Sequence, residues 1–291
     1  MMNVLVIANC QARPIVNILR VYMGDVGAFD TIIVHLSSQD TLRVDEEKIS
    51  KANLVITQYI SPDYPAAHLA TQKLKQSVNS KLVVVPNLYF RGYNPDLCYL
   101  NLVRSDSAGK VLSKTRLQTL WGDYCSATGY RSWLEGKSVT ETVAIYRWDC
   151  SETHGTYRNT AENSIDELRR REASCDVGIS DFIKETWISR RLFFTFNHPA
   201  EEVLIELVRR TLDEAQIATR NKIPEHFFPQ TLDNIFPNDI PGYILDRCIG
   251  VNEYTTGFIR EKKMGVITGK FFSIEDVITQ LFVSLDFHRD D

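Results

Sequence analysis

The sequence lacks the patterns that mark several common classes of protein. Its apolar runs fall short of the ~18–20 residues that a membrane-spanning helix needs. Its six cysteines show no CxxC spacing, which disfavours both a zinc site and a disulfide framework. The glycine-rich motifs GxGxxG and GxxxxGKS/T are also missing, so a dinucleotide or ATP site of those types is not indicated.

The composition is that of an ordinary globular protein. The chain has 291 residues, of which 44% are hydrophobic and 24% charged, which excludes low-complexity and disordered classes. A net charge of −4 argues against a nucleic-acid partner. The N-terminus has no positively charged region before its short apolar run, so we expect no secretory signal and a reducing, cytoplasmic compartment.

Residues 1–98 alternate between apolar strands and amphipathic helices. We predict helices at Pro14–Tyr22 and Pro65–Gln76, because apolar side chains recur there at helical spacing. Strands separated by helical crossovers form parallel sheets, so the fold class is α/β with a Rossmann-like sheet in this region. The predicted strands are short runs rich in β-branched residues: Val4–Ala8, Thr31–Leu36, Asn53–Ile56 and Leu82–Val85.

Residues 99–291 are predicted to form a second, mainly helical region. Helical periods occur at Ser164–Cys175, Pro199–Gln216 and Ile274–Leu285. Ser164 and Glu167 have the spacing of a capping box, which places a helix start there. The proline-rich stretch Lys222–Gly242 is predicted to be an ordered loop.

Cys10 is the most informative single residue. It follows the first predicted strand and precedes a predicted helix, and ligands of open α/β sheets bind at that edge. A helix N-terminus favours the thiolate form of a cysteine and offers N–H groups to an oxyanion. Asn9 and Gln11 add side-chain amides, and Arg13 adds a positive charge. The alternative is a small buried side chain that only closes the strand.

His198 is the preferred candidate for a general base to Cys10. It lies between an aromatic run and a strongly amphipathic helix, and a neutral imidazole suits that role. The alternative is that Asn197 or His198 simply caps the helix. His35 lies at the end of the second predicted strand and is a weaker candidate.

The loop from Pro86 to Asp96 follows the fourth predicted strand and therefore leaves the same edge of the sheet as Cys10. Its amides, aromatic rings and single arginine, among them Asn87, Arg91 and Tyr93, suit a polar ligand with an anionic group. An aromatic-stapled connection between the two regions is an equal alternative. Arg190 and Arg191 precede the His198 segment and are further candidates for phosphate contacts, whereas the run 169–171 is predicted to be a solvated face.

Three segments together resemble the WcbI-type capsular polysaccharide biosynthesis proteins, in motif order as well as content. They are Asn9-Cys10-Gln11-Ala12, the Tyr89–Asp96 loop and Phe194–Pro199, which ends in Asn-His-Pro. The resemblance covers most of residues 1–215. The family motif opens with Gly-Asn-Cys-Gln, and here Ala8 replaces the glycine.

The resemblance implies a coenzyme A-binding protein that transfers acetyl from acetyl-coenzyme A to a hydroxyl of a capsular sugar. No metal is expected, because the sequence shows no paired spacing of His, Cys or Asp that is typical of metal ligands. Cys10 and His198 match the family's cysteine and histidine. The expected coenzyme A contacts include four arginines, in decreasing order of preference Arg13, Arg91, Arg190 and Arg191. The other expected contacts are polar or aromatic: Asn9, Gln11, Asn87, Tyr93 and Asn197.

Two other functions stay open at this stage. One is an SGNH-like acyl hydrolase that uses the same Cys–His pair, by analogy of fold alone. The other is a non-catalytic sugar- or nucleotide-binding protein, in which the Cys10 thiol would have an ordinary pKa. The sequence leaves open the acceptor sugar, a homo-oligomeric state and peripheral association with the inner membrane.

Overall fold

The computed structural model describes residues 1–105, 108–119, 123–146, 151–224, 238–239, 257–263, 266–272 and 274–288. The chain divides into two units. The first comprises residues 1–89, 163–193 and 197–235, and the second comprises residues 90–162, 194–196 and 236–291. Cys10 and His198 therefore belong to the same unit.

The first unit contains a parallel four-stranded sheet, which confirms the predicted α/β fold. The order across the sheet is β2-β1-β3-β4, and each neighbouring pair runs parallel. Buried β-branched side chains dominate the central strands, because both faces of such a sheet are covered. The strands are β1 (Met2–Ala8), β2 (Gly27–Ile33), β3 (Leu54–Gln58) and β4 (Lys81–Val85).

Helix α1 (Ala12–Met23) buries the predicted apolar stripe, including Ile15, Ile18 and Leu19. A helix that the sequence did not predict, α2 (Leu42–Lys51), follows β2; its sequence is mostly charged and has only a weak apolar period. The segment predicted as one helix from Pro65 is instead a short 3-10 turn followed by α3 (Thr71–Ser77). Strand β2 starts earlier than predicted, and Val34–Leu36 forms a 3-10 turn.

The chain after residue 98 contains both helices and short strands. The capping-box prediction at Ser164 is wrong because that residue lies inside α6, and a Ser-x-x-Glu spacing also occurs within helices. The helices are α4 (Ala127–Leu134), α5 (Val139–Tyr146), α6 (Ser151–Glu172), α7 (Ser180–Thr186), α8 (Glu201–Glu214) and α9 (Ile274–Phe287).

Strands in this part form small antiparallel sheets and hairpins rather than one large sheet. The predicted loop Lys222–Gly242 lies mostly outside the described residues. No helix in the part of the chain that the structure describes is long and apolar enough to cross a membrane. The strands are β5 (Leu97–Tyr99), β6 (Asn101–Ser105), β7 (Val111–Arg116), β8 (Tyr124–Ser126), β9 (Phe193–Thr195), β10 (His198–Pro199), β11 (Asn238–Asp239), β12 (Gly257–Lys263) and β13 (Val266–Phe272).

Candidate active site

A tight turn holds Cys10 between the end of β1 and the start of α1. The Ala12 N–H donates to the Asn9 carbonyl at 3.0 Å. The Asn9 side-chain oxygen accepts from the Gln11 N–H at 2.9 Å and lies 3.9 Å from the Cys10 sulfur. Cys10 itself is partly exposed. The predicted position of the thiol, at the carboxyl edge of the sheet and at a helix N-terminus, is confirmed.

Buried amides link this turn to the neighbouring strand. The Asn9 N–H donates to Gln58 Oε1 at 2.9 Å, and Gln58 Nε2 donates to Gln11 Oε1 at 2.7 Å. Gln58 is the last residue of β3, which pairs with β1. Gln58 was not among the predicted site residues, because the predicted strand ended at Ile56 and the observed strand extends to Gln58. The signal in the sequence was a polar side chain at the end of an apolar strand, and the structure adds that this strand borders β1.

The Gln11 side chain also connects the turn to the segment that carries His198. Gln11 Nε2 donates to the Asn197 carbonyl at 3.0 Å and to the Leu88 carbonyl at 3.4 Å. Asn9 Nδ2 donates to Asn87 Oδ1 at 3.1 Å. The Gln11 amide therefore joins the residue after Cys10 to the residue before His198. Its second hydrogen atom is donated to the Leu88 carbonyl.

His198 lies in the short strand β10, which pairs with β9. The predicted capping role of Asn197 or His198 is wrong, because Ala200 occupies the N-cap of α8. The chain doubles back before that helix, and the Ala200 N–H donates to the Leu192 carbonyl at 2.8 Å. Burial lowers the pKa of His198 to about 3, because removing water from the ring disfavours the charged form. The imidazole is therefore neutral at neutral pH.

Three of the expected phosphate contacts lie in the first unit. Arg13 is exposed in the first turn of α1. Arg190 is also exposed and forms an ion pair with Glu202. Arg191 is half-buried, and its Nε donates to the Phe193 carbonyl at 3.4 Å.

Arg171 is a basic residue of this site that sequence analysis placed on a solvated face. Its Nη1 donates to the Asn87 carbonyl at 3.3 Å, and its guanidinium lies 5.7 Å from the centre of the Tyr89 ring. Burial lowers the pKa of Arg171. Its side chain is 30% exposed, against 75% for Arg170, so the solvated-face prediction is wrong for Arg171 and right for Arg170.

Arg91 and Tyr93 lie in the second unit, where both have structural contacts. Arg91 Nη2 donates to the Pro95 carbonyl at 2.6 Å. Tyr93 is buried and packs edge-on against Phe90, with 5.1 Å between the ring centres. This packing corresponds to the aromatic-stapled alternative for the Pro86–Asp96 loop.

We expect Gln58→Leu to destabilise the protein by about 2–4 kcal/mol. The leucine would leave the Asn9 N–H and the Gln11 side-chain oxygen without their partner, and each unmet group costs about 1–3 kcal/mol. Urea unfolding of the purified variant measures the change. Gln72→Leu is the matched control, because Gln72 is exposed on α3. Equal unfolding free energies for the two variants would show that the amide network does not stabilise the Cys10 turn.

Comparisons with known proteins agree with this fold. Residues 3–220 match a family model described as polysaccharide biosynthesis enzyme WcbI. One solved structure superposes on this chain with a TM-score of 0.75 at 16% identity. It is described as native WcbI, a novel polysaccharide biosynthesis enzyme, without a disulfide bond between coenzyme A and a cysteine of that protein. That alignment covers 100% of this chain and 90% of the WcbI chain.

A second solved chain, methionyl-tRNA formyltransferase from Clostridium thermocellum, aligns over 94% of this chain and 100% of its own, with 10% identity. Its TM-score of 0.24 is too low to indicate a shared fold. No curated protein matches the sequence. Since the family model covers most of the chain, including Cys10, Gln58 and His198, the protein belongs to the WcbI family of polysaccharide biosynthesis enzymes.

Proposed function

We propose that this protein is an O-acetyltransferase that moves acetyl from acetyl-coenzyme A to a hydroxyl of a capsular polysaccharide or of its sugar precursor. The observation that carries the proposal is the Gln11–Asn197 hydrogen bond of 3.0 Å, which ties the segment of Cys10 to the segment of His198. A thiol and a neutral imidazole held on connected segments suit acyl transfer. Membership of a polysaccharide biosynthesis family supports a sugar acceptor.

Cys10 is proposed to attack the thioester carbonyl while His198 accepts the thiol proton. The bond between the carbonyl carbon and the sulfur of coenzyme A then breaks, coenzyme A leaves as a thiol with that proton, and the acetyl group stays on the Cys10 sulfur. This exchange is close to thermoneutral because one thioester replaces another. The sugar hydroxyl then attacks the acetyl-cysteine, and His198 Nδ1 or Nε2 accepts the hydroxyl proton. The carbon–sulfur bond to Cys10 breaks, and His198 returns the proton to the departing sulfur, which restores the thiol. In the alternative of direct transfer, His198 deprotonates the sugar and Cys10 only positions the acyl group.

The amides of the turn are proposed to have separate tasks. The Gln11 side-chain N–H groups are both directed to main-chain carbonyls, so Gln11 positions the two segments rather than stabilising an oxyanion. Asn87 is exposed beside Asn9, and the amides of these two residues are the proposed donors to the oxyanion.

Coenzyme A fits the charges of this site. Its phosphate groups need cations. Arg13 lies on the helix that follows Cys10, and Arg171 lies beside the Asn87 carbonyl. A partly dehydrated guanidinium pairs strongly with phosphate. That a solved member of the family is described with coenzyme A supports this ligand, and cytoplasmic acetyl-coenzyme A would be its source.

We expect the purified protein to bind coenzyme A with about micromolar affinity, and to bind NAD and ATP at least about tenfold more weakly. Isothermal titration of all three ligands measures this preference. Arg171→Gln should weaken coenzyme A binding about tenfold, whereas Arg170→Gln, on the exposed face of the same helix, should leave the affinity unchanged. Equal binding of the three ligands, or no binding of coenzyme A, would contradict the proposal.

A further inference from the structure

The hairpin formed by β6 and β7 carries apolar side chains on both of its faces. The strands pair antiparallel, with Val103 opposite Lys114. Leu102 packs against a cluster in the second unit that includes Leu117 and Leu281. Because successive side chains of a strand point to opposite faces, Val103 lies on the face away from this cluster.

The outer part of the hairpin exposes an unusual amount of apolar surface. Val103, Val111 and Leu112 are 53%, 56% and 65% exposed. A shift in register near Ser105 leaves Leu112 as an extra residue in β7, as in a β-bulge. A hairpin that packs on one face normally has polar side chains on the other, so packing among the residues that the structure describes does not explain these three side chains. Adjacent exposed apolar side chains mark interaction surfaces.

The charge of the hairpin identifies the kind of partner. Residues 101–116 contain four basic residues and one acidic residue, although the whole chain has a net charge of −4. Lys110 and Lys114 are exposed on either side of Val111 and Leu112. Apolar side chains flanked by lysines fit the surface of an anionic bilayer, where the side chains enter the boundary layer and the ammonium groups reach the headgroups.

A second copy of the chain is a poorer partner for this surface. Two-fold pairing of identical hairpins would place the same residues of both copies in one interface. The lysines of one copy would then lie close to those of the other, and this like-charge contact is unfavourable.

We propose that the β6–β7 hairpin docks the protein on anionic phospholipid surfaces. Val111 and Leu112 enter the lipid boundary, and Lys114 contacts the phosphate headgroups. This docking surface does not depend on the proposed acetyl transfer.

Co-sedimentation of the full chain with vesicles tests the proposal. The vesicles consist of phosphatidylcholine alone or with about one-third phosphatidylglycerol. We expect sedimentation with the anionic vesicles, and we expect Lys114→Glu to weaken the partition coefficient at least about fivefold. Val111→Ser combined with Leu112→Ser should abolish binding.

The chain offers matched controls for both kinds of change. Val283 and Leu134 are 59% and 60% exposed elsewhere in the second unit, so Val283→Ser combined with Leu134→Ser removes a similar apolar surface. Lys73→Glu makes the same charge change on α3 as Lys114→Glu makes on β7. Both controls should sediment with anionic vesicles as the wild type does.

Three results would overturn the proposal. The first is a wild-type protein that does not bind the anionic vesicles. The second is undiminished binding by the Val111→Ser, Leu112→Ser variant with a native circular dichroism spectrum. The third is a wild-type dimer, measured by light scattering, that the Val111→Ser, Leu112→Ser variant does not form, with no vesicle binding by wild type or variant. That result would mean that the hairpin pairs with a second copy of the chain.

Discussion

Replacing Cys10 by alanine is expected to reduce kcat/KM for acetyl transfer at least about a thousandfold. The thiol is the proposed acceptor of the acetyl group, so its loss removes the covalent step and not merely a binding contact. Affinity for coenzyme A should change less than about threefold. Release of coenzyme A, followed with a thiol reagent, measures the rate, and isothermal titration measures the affinity.

Cys98→Ala is the matched control for this prediction. Cys98 is half-buried on β5, and burial raises the pKa of its thiol, so it offers little thiolate to a thioester. Its removal should leave the transfer rate unchanged. If Cys10→Ala retains the wild-type rate, Cys10 is not the nucleophile and direct transfer with His198 as the base is preferred. If the wild type only releases free acetate from acetyl-coenzyme A, and Cys10→Ala neither releases acetate nor transfers acetyl, the enzyme is a hydrolase.

The position of Cys10 could be predicted from sequence because the signals that place it are local. A β-branched run, a polar turn and an amphipathic stripe with Ile15 and Leu19 all occur within one short segment. The carboxyl edge of a parallel sheet then follows from the right-handed crossover rule. The short strands β9 and β10 around His198 are less predictable from local patterns, because they form only where the chain turns and pairs with itself.

Gln58 and Arg171 were not predictable in the same way. The role of Gln58 depends on β3 lying next to β1, and the order of strands in a sheet is not contained in any local pattern. Arg171 resembles Arg170 in sequence, and only its position on the helix directs it to the Asn87 carbonyl and the Tyr89 ring. Adjacent residues of a helix point in different directions, and the sequence alone does not show which of the two directions faces the rest of the protein.

The β6–β7 hairpin shows a further limit of sequence patterns. Its strands lack a clean alternation of apolar and polar residues, since Val111 and Leu112 are adjacent, and the sequence therefore did not predict a hairpin there. The adjacent Val111 and Leu112 interrupt the strand pattern in the sequence, and both of their side chains are exposed in the structure. A local departure from the strand pattern is thus the feature that points to an interaction surface.

Replacing His198 by glutamine should lower the rate of acetyl transfer about 10²–10⁴-fold, the usual effect of losing a general base. Burial lowers the pKa of His198 to about 3, so the wild-type ring keeps its basic, neutral form from neutral pH down to about pH 5. The rate should therefore show no acid limb from His198 in that range. A pH profile of kcat/KM, measured for wild type and variant, tests this expectation.

The same pKa predicts how stability depends on pH. In the unfolded chain His198 takes up a proton near its ordinary pKa of 6.5, whereas in the folded chain it does so only near a pKa of about 3. As pH falls below about 6.5 the unfolded state is therefore favoured, at up to about 1.4 kcal/mol per pH unit, and above this range the contribution vanishes. Urea unfolding at about pH 7 and about pH 5 should show a smaller acid loss of stability in His198→Gln than in wild type.

His35→Gln is the control for this measurement, because His35 is an exposed histidine and the variant separates the loss of any one histidine from the loss of the buried His198 ring. A catalytic acid limb near about pH 6.5, together with equal acid loss in wild type and His198→Gln, would mean that water reaches the imidazole. His198 would then be charged over much of the working range and poorly suited to accept the hydroxyl proton. A flat rate between about pH 5 and about pH 7, with the predicted difference in stability, would instead tie the burial of the ring to its role as the base.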